Sequence, residues 1–266
     1  YALALLRQRC EAALAGVCGR AQGALPEFSP QGLANAAYAL GLLEYGPPPL
    51  LGALCSHLPS RLAAFNEQEV SNTVYGLARL RFRHEPFLRA ACAHIRDGAA
   101  GYSARGLSST LYALALLRFR DDALLEEACS QATRRLPEFN SQDVSNTVHS
   151  LGQLHFPHRG LLRTLGAQVP GRLGEFTSQG VANVMHALGL LQLRHAGLLG
   201  AVCAHVAGGR LGEFSEQHLS CVVYALGLLR FADAPLLRAL AAHLPGRAAE
   251  LTPQGLCVTA HGLALA

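Results

Sequence analysis

The sequence predicts an all-α fold, an α-solenoid of about seven 37-residue helix-turn-helix repeats that is truncated at both ends. Two observations carry this prediction. A short motif recurs at a nearly constant spacing, and each copy is followed by apolar residues at the spacing of an amphipathic helix. A fixed period of about 20 to 50 residues is typical of stacked repeats, in which each unit buries its apolar face against its neighbours.

The recurring motif is an aromatic residue, then Ser, Asn or Thr, then a variable residue, then Gln. Five clear copies begin at Phe28, Phe65, Phe139, Phe176 and Phe214, and two degenerate copies begin at Tyr102 and Leu251. Successive copies are 37, 37, 37, 37, 38 and 37 residues apart. Positions within a repeat are counted from the Gln, which is position 0; in the third copy this residue is Arg105.

The repeats run through the whole chain without a linker. We therefore predict one solenoid domain over residues 1–266, with partial repeats at 1–27 and 251–266 and full repeats that begin near residues 28, 65, 102, 139, 176 and 214. Segment Tyr1–Leu6 matches Tyr38–Leu43 one period later, so we expect the chain to begin inside a repeat. Any leader or further domain is then expected outside these residues.

Each repeat contains a first helix, helix A, that begins at the motif. The Ser, Asn or Thr after the aromatic residue is a good N-cap, and Pro30 and Pro253 occupy the first helical position, where a missing N–H is tolerated. Apolar residues follow at positions +2, +6, +9 and +12, which form one stripe on a helix. Position +10 is always Gly or Ala, which predicts close contact between helices.

A second helix, helix B, follows a short turn that contains an aromatic residue or Leu. We predict helix B over about residues 48–58, 85–96 and 122–134 in the first three full repeats, with equivalents later in the chain. Two antiparallel helices per repeat make an α-solenoid.

Five of the eight cysteines occupy nearly the same position of their repeats: Cys18, Cys55, Cys92, Cys129 and Cys203. Equivalent residues of stacked helices lie roughly 8–10 Å apart. The Cα atoms of a disulfide lie within about 7 Å. We therefore expect buried free thiols, as in a reducing compartment.

The residues exclude several classes of function. Residues 176–193 lack charge but contain Gln and Asn, so a membrane span is not expected. The chain has no Lys, which excludes a Walker phosphate loop and Schiff-base chemistry. Pairs such as Cys55 and His57 diverge by about 200° on a helix, so one pair cannot chelate a metal. We expect no enzyme activity, no cofactor, no metal and no small-molecule substrate.

The motif copies, together with Ser71–Tyr75 and Ser145–His149, which begin with Ser-Asn-Thr-Val, resemble a known repeat type. It is found in the octotricopeptide and heptatricopeptide repeat family of organellar RNA-binding proteins, and before the RAP domain of FAST-kinase-like proteins. The resemblance covers essentially the whole chain. It implies mitochondrial localisation, with the plastid as the alternative. It also implies binding to organellar mRNA or rRNA in ribonucleoproteins, including a place in a mitochondrial ribosome.

Helix A offers candidate RNA contacts on the face opposite its apolar stripe. Position +4 is Asn in four repeats: Asn35, Asn72, Asn146 and Asn183. Position +7 is always Tyr or His. Amides can bind base edges and rings can stack on bases. The alternatives are that the Asn side chains bond the backbone of the next repeat, and that the rings pack between repeats. Position +1 is the variable one, as a specificity position or an unconstrained solvent position would be.

All 22 basic residues are Arg, which suits phosphate binding and base stacking. Five arginines lie four residues before a motif copy: Arg61, Arg135, Arg172, Arg210 and Arg247. All except Arg61 are followed three residues later by a Glu, so we predict that this set is structural. Residues 79–120 instead hold eight Arg against Glu85 and Asp97, a net charge of +6. The best phosphate candidates are in its turns: Arg79, Arg81, Arg83, Arg118 and Arg120.

The leading hypothesis is an organellar RNA-binding α-solenoid that holds single-stranded RNA or rRNA along helix A, for RNA stability or translation. The net charge of the chain is only +4, which suits a short strand or a fixed RNA neighbour, including one in a ribosome shared with other subunits. One alternative is a protein-binding scaffold of the armadillo or HEAT type without RNA contact. Another is an interaction arm of a larger enzyme.

Overall fold

The computed structural model describes residues 11–246 and 252–265, and within them the secondary structure is helical, without strands. This confirms the all-α prediction. The helices are α1 (Glu11–Ala24), α2 (Pro30–Leu43), α3 (Pro48–His57), α4 (Glu67–Arg79), α5 (Glu85–Gly98), α6 (Ala104–Leu116), α7 (Asp122–Arg134), α8 (Ser141–Gln153), α9 (Arg159–Gln168), α10 (Ser178–Leu190), α11 (Ala196–Ala207), α12 (Glu216–Leu228), α13 (Ala234–His243) and α14 (Pro253–Leu265). Even-numbered helices are helices A. The predicted starts of helix B are confirmed at α3, α5 and α7.

The chain forms two compact units, Tyr1–Gln131 and Ala132–Ala266. In the first unit, helices A pack in the order α2, α4, α6; in the second, in the order α8, α10, α12, α14. The predicted match of Tyr1–Leu6 to a repeat, the charges Arg247 and Glu250, and the motif residue Leu251 lie outside the described residues. Within the described residues, no helix has the length and apolar character needed to cross a membrane.

The predicted N-caps are confirmed. The cap side chain accepts a hydrogen bond from the backbone N–H at position +1 at the start of each helix A: Ser29, Asn66, Ser103, Asn140, Thr177, Ser215 and Thr252. Where position +1 is acidic, its carboxylate accepts from the cap's own N–H, as Glu69 does at 2.8 Å from Asn66. Each motif thus starts a helix at a defined residue.

The end of helix A contains a feature that the sequence did not predict. Position +13 adopts the left-handed conformation, with φ between 47° and 54°, although it is never Gly: Glu44, Arg81, Arg118, His155, Gln192 and Arg230. Its N–H donates to the carbonyl at +10, and the next N–H donates to the carbonyl at +9, as in the pair Arg81 to Ala78 and Phe82 to Leu77. This is a Schellman motif, built at a cost of about 1 kcal/mol for a residue with a Cβ.

Two further local features surround helix B. A short 3₁₀ turn precedes each described motif copy that follows a helix B, as in Leu136–Glu138. The N-cap of helix B is a histidine in three repeats: His84, His158 and His195, each through Nδ1. Asp121 and Asp233 fill the same role. Histidine is not among the preferred N-cap residues, so these caps were not predicted from the sequence.

The cysteine prediction is confirmed for the five residues at the shared position, which are buried free thiols. Burial raises the pKa of the Cys55 and Cys92 thiols to about 12. A thiol with such a pKa stays protonated at neutral pH and behaves as a small apolar side chain.

Consecutive helices A touch backbone to backbone, as position +10 predicted. A Cβ placed on Gly41 would lie 2.6 Å from the carbonyl oxygen of Gly76, and one on Gly152 would lie 2.8 Å from Cα of Ala187. The partner of position +10 is therefore the small residue at position +8 of the next repeat. A Cβ on Gly76 itself would lie 2.3 Å from the carbonyl oxygen of Ala37.

We expect the substitution Gly76→Ala to destabilise the protein by about 1–3 kcal/mol, because its Cβ would force α2 and α4 apart. Helix propensity alone predicts the opposite sign, a gain of about 1 kcal/mol. Gly52→Ala is the matched control, since a Cβ at Gly52 meets nothing within 4 Å. Urea unfolding of the two variants checks this. Stabilisation by both substitutions would contradict the close-packing account.

Candidate functional site

Helix A has four faces, and only one of them is free. At about 100° per residue, the core stripe centres near 200° from position 0, and positions 0, +4, +7 and +11 centre near 10°. Positions +3 and +10 lie on one flank, and positions +5 and +8 lie on the other. Within each unit, an inner helix A such as α4 contacts a neighbouring helix A on both flanks. The stripe of positions 0, +4, +7 and +11 is called the free face below.

One flank is joined to the next repeat by serine at position +3. Ser71 donates to the carbonyl of Gly106 at 3.4 Å, and Ser145 donates to the carbonyl of Gly180 at 3.2 Å. Ser220 and Gly255 form the same pair at 3.4 Å. These serines are buried. Hydrogen bonds to the backbone of the next repeat therefore exist, and we call them the serine ladder. They are made by Ser at position +3 rather than by Asn at position +4.

The free face carries amides that form no hydrogen bond within the described part of the fold. The Asn side chains at +4 are half-buried: Asn35, Asn72, Asn146 and Asn183. The Gln side chains at position 0 are exposed: Gln31, Gln68, Gln142, Gln179, Gln217 and Gln254. Within the described part of the chain, none of these ten side chains forms a hydrogen bond. The alternative that Asn bonds the backbone of the next repeat thus finds no support, and the Gln amides of position 0 lie on the same face.

The rings at position +7 pack against one another between repeats, as the packing alternative proposed. In the first unit, Tyr38 and Tyr75 have centroids 6.1 Å apart; in the second, His149 and His186 are 6.3 Å apart. Most of these rings are half-buried, so part of each of those side chains is at the surface. Burial lowers the pKa of His149 and His186 below the ordinary value of 6.5, and the pair is therefore neutral at pH 7.

Position +1 takes part in capping helix A through its backbone. It is the third residue of helix A, and its N–H binds the cap in every described repeat. Its side chain is absent in four repeats, as in Gly106, and turned back to the cap in two, as Glu69 and Asp143 show. The half-buried ring of His218 belongs to neither group. Asp143 is buried. At the Gly and the acidic residues, the variability of this position reflects two ways to cap a helix.

The Arg set before the motif is structural, as predicted. Arg135 binds Glu138 at 2.7 Å, Arg172 binds Glu175 at 3.0 Å, and Arg210 lies 3.8 Å from Glu213. Arg172 also donates to the carbonyl of Phe139, 33 residues earlier, at 2.8 Å, and Arg61 donates to Phe28 at 3.2 Å. These arginines join successive motifs.

The five arginines predicted for phosphate are not equivalent. Arg79 binds Glu44 at 3.1 Å, Arg83 binds Glu85 at 2.8 Å, and Arg120 binds Asp122. The Arg120 guanidinium holds the pKa of the Asp122 carboxyl below its usual value. Arg81 and Arg118 are exposed, and their guanidinium groups have no partner among the described residues. The net charge of residues 79–120 therefore overstates the number of guanidinium groups that are available to bind phosphate.

A family model described as RESC6, RNA-editing substrate-binding complex 6 protein, matches residues 91–196. These residues run from within α5 to the first residue of α11 and make up less than half of the chain. They include Arg118, Asn146 and Asn183 of the candidate site. No curated protein matches the chain.

The adjacent residues Ser71 and Asn72 give a test of the free face. We expect Asn72→Ala to change the free energy of unfolding by less than about 0.5 kcal/mol, because the amide has no partner. Ser71→Ala should cost about 1 kcal/mol or more, because it removes the hydrogen bonds that this buried hydroxyl forms with the Gly106 carbonyl and the Thr110 hydroxyl. Urea unfolding measures both. An equal cost for the two variants would show that Asn72 has a structural role.

The paired histidines make stability depend on pH. Their folded pKa lies below the unfolded value of about 6.5, so the unfolded state binds more protons on acidification. Stability should be complete above pH 6.5 and fall as the pH drops below it. The double variant His149→Tyr with His186→Tyr installs the residue type found at Tyr38 and Tyr75. On acidification it should lose less stability than wild type does. Thermal melts at about pH 7.5 and pH 5.5 check this; equal losses would contradict it.

Proposed function

We propose that this protein is an RNA-binding α-solenoid that holds single-stranded RNA along the free faces of its helices A. The observation that carries the proposal is the set of uncommitted amides at positions 0 and +4. Gln recurs at position 0 in six of the seven motif copies and Asn at +4 in four, yet these amides contribute no hydrogen bond to the described part of the fold. Within each unit they have the geometry of a ligand-binding row. The similarity of residues 91–196 to an RNA-editing substrate-binding complex protein supports RNA as that ligand.

The chemistry of the free face suits unpaired bases. Asn and Gln amides each offer a donor and an acceptor to a base edge. The exposed parts of the rings at +7 lie one turn further along the same stripe, where a base can stack or contact them. The near-uniform amides imply contacts that most sequences can make. Selectivity would then come from the less uniform position +11, which is Leu42, Arg79, Leu116 or Gln153 in the first four full repeats.

Phosphate contacts fall to Arg81 and Arg118. They occupy position +13 in adjacent repeats of the first unit, beyond the C-terminal ends of α4 and α6. A helix A of 13 residues is about 20 Å long. Arg105 is the other exposed arginine of residues 79–120 that has no described partner. It lies at the N-terminal end of α6, whereas Arg81 and Arg118 lie beyond the C-terminal ends of their helices. Two free guanidinium groups suit a modest affinity for a short strand.

We propose a mitochondrial location, with the plastid as the alternative, on the resemblance to octotricopeptide-type repeats. A role in positioning RNA within a larger ribonucleoprotein, without catalysis by these residues, fits both that resemblance and the family matched at 91–196. An RNA-processing complex is favoured over a ribosome, because the matched description names an editing complex.

Removal of the four amides tests the proposal. We expect the variant with Asn35, Asn72, Asn146 and Asn183 each changed to Ala to bind a single-stranded RNA pool at least about tenfold more weakly, since base contacts are worth about 1–3 kcal/mol each. The control is Gln22→Ala with Gln168→Ala, which removes amides from helices B. Fluorescence anisotropy gives the affinities. Unchanged RNA affinity, with capture of a protein partner retained, would favour the armadillo-like alternative.

Reversal of the free charges tests the phosphate contacts. Arg81→Glu with Arg118→Glu should weaken RNA binding by about tenfold or more and reduce the slope of log affinity against log salt by about 2. Arg163→Glu with Arg238→Glu changes the net charge equally on the exposed faces of α9 and α13. Equal losses in the two double variants would mean that only net charge matters and that these turns are not the contact.

A further inference from the structure

An arginine at position +15 covers the aromatic residue of the next turn in two repeats. The guanidinium of Arg83 lies 5.6 Å from the ring centroid of Phe119, and that of Arg194 lies 5.8 Å from the ring centroid of Phe231. Arg83 also donates to the carbonyl oxygen of Arg118 at 3.1 Å. The turn between helices A and B thus contains a seat for a planar group, formed by an aromatic face and a free carbonyl at +13.

The first full repeat has the seat without the arginine. Position +15 is Gly46, so the next aromatic residue, Phe82, has no guanidinium over it. A cleft of about 580 Å³ opens here, and the residues that line it include Glu44, Gly46, Leu51, Arg79, Arg81 and Phe82. The carbonyl oxygen of Arg81, which corresponds to the acceptor that Arg83 uses, has no hydrogen-bond partner among the described residues.

The charges of the cleft select its occupant. Glu44 is already paired with Arg79, and Arg81 has no described partner, so the rim is positive. An untethered guanidinium would meet two arginines there, whereas a phosphate would be attracted. The aromatic wall and the carbonyl acceptor suit a base that carries an amino group. Arg79 is position +11 of the free face, so the cleft lies at the end of that face.

We propose that the Gly46 cleft holds one nucleotide of the bound RNA. Its base lies against Phe82 and donates to the carbonyl of Arg81, and its phosphate contacts the Arg81 guanidinium. This inference rests on the proposed function, and it adds a site that the repeat pattern does not provide elsewhere in the same form. The site exists because the repeat that begins at residue 28 has Gly46 at position +15, where the next repeat has Arg83. It is formed by the pair of repeats that begin at residues 28 and 65.

The test is to fill the cleft with a side chain of the protein itself. Gly46→Arg places an arginine at the repeat position that Arg83 occupies in the next repeat. The atoms nearest to a Cβ there are side-chain methyl groups of Leu51 and Leu80, at 2.9 Å and 3.1 Å. We expect about five- to tenfold weaker binding of a mixed-sequence single-stranded RNA, despite the added positive charge. Ala232→Arg is the charge-matched control, at the same repeat position in the last full repeat, and should not weaken binding.

A second pair of variants keeps the inference testable if the first alters folding. Phe82→Leu installs the residue that Leu193 provides at this position in another repeat, and should weaken binding similarly. Phe119→Leu removes a ring that Arg83 already covers, and should leave RNA affinity unchanged. Ultraviolet crosslinking of the RNA followed by peptide mass spectrometry should identify the peptide that contains Phe82 in wild type.

The outcomes separate the two proposals. If wild type binds no RNA, the proposed function fails and the cleft assignment fails with it. If wild type binds RNA with the expected salt dependence while Gly46→Arg and Ala232→Arg bind alike, only the cleft assignment is overturned. A third outcome is that an arginine-containing tripeptide binds wild type but not Gly46→Arg, while both proteins bind RNA equally. The cleft then takes an arginine of a protein partner, and the assignment is also overturned.

Discussion

The backbone contact between consecutive helices A is the constraint on which the other features depend. Positions +10 and +8 must be small because a Cβ at Gly76 would lie 2.3 Å from a carbonyl oxygen of the neighbouring helix. This close approach brings Ser71 within reach of the backbone of the next repeat and stacks the rings of Tyr38 and Tyr75. A wider spacing would lose the serine ladder and the ring contacts together.

That contact also determines which surface remains for a ligand. Within each unit, the flanks of an inner helix A are covered by the neighbouring helices A, and the stripe opposite the free face is buried in the core. The amides at positions 0 and +4 are then the polar groups of helix A that recur and remain uncommitted. The fold therefore supports a row of Asn and Gln as the candidate contact more directly than the arginines, several of which are paired with Glu or Asp.

Local chemistry was predictable where it depends on residues three or four apart. The caps at Ser29 and Asn66 and the pairs Arg135–Glu138 and Arg172–Glu175 follow from chain spacing alone. The left-handed residue Arg81 escaped prediction because it is not Gly. The pairing of Arg79 with Glu44, 35 residues away, escaped because it needs the distance between neighbouring repeats.

The sequence by itself determined the period, the helical class, the start of each helix A and the stripe that must be buried, because these depend on spacing and capping within one repeat. Only the tertiary structure decided between ladder and free amide for Asn72, and between paired and free for Arg81 and Arg83. Those choices depend on which atoms of adjacent repeats lie within hydrogen-bonding distance. The open seat at Gly46 is a consequence of the same kind: a missing side chain matters only where the next repeat supplies the surface it would have covered.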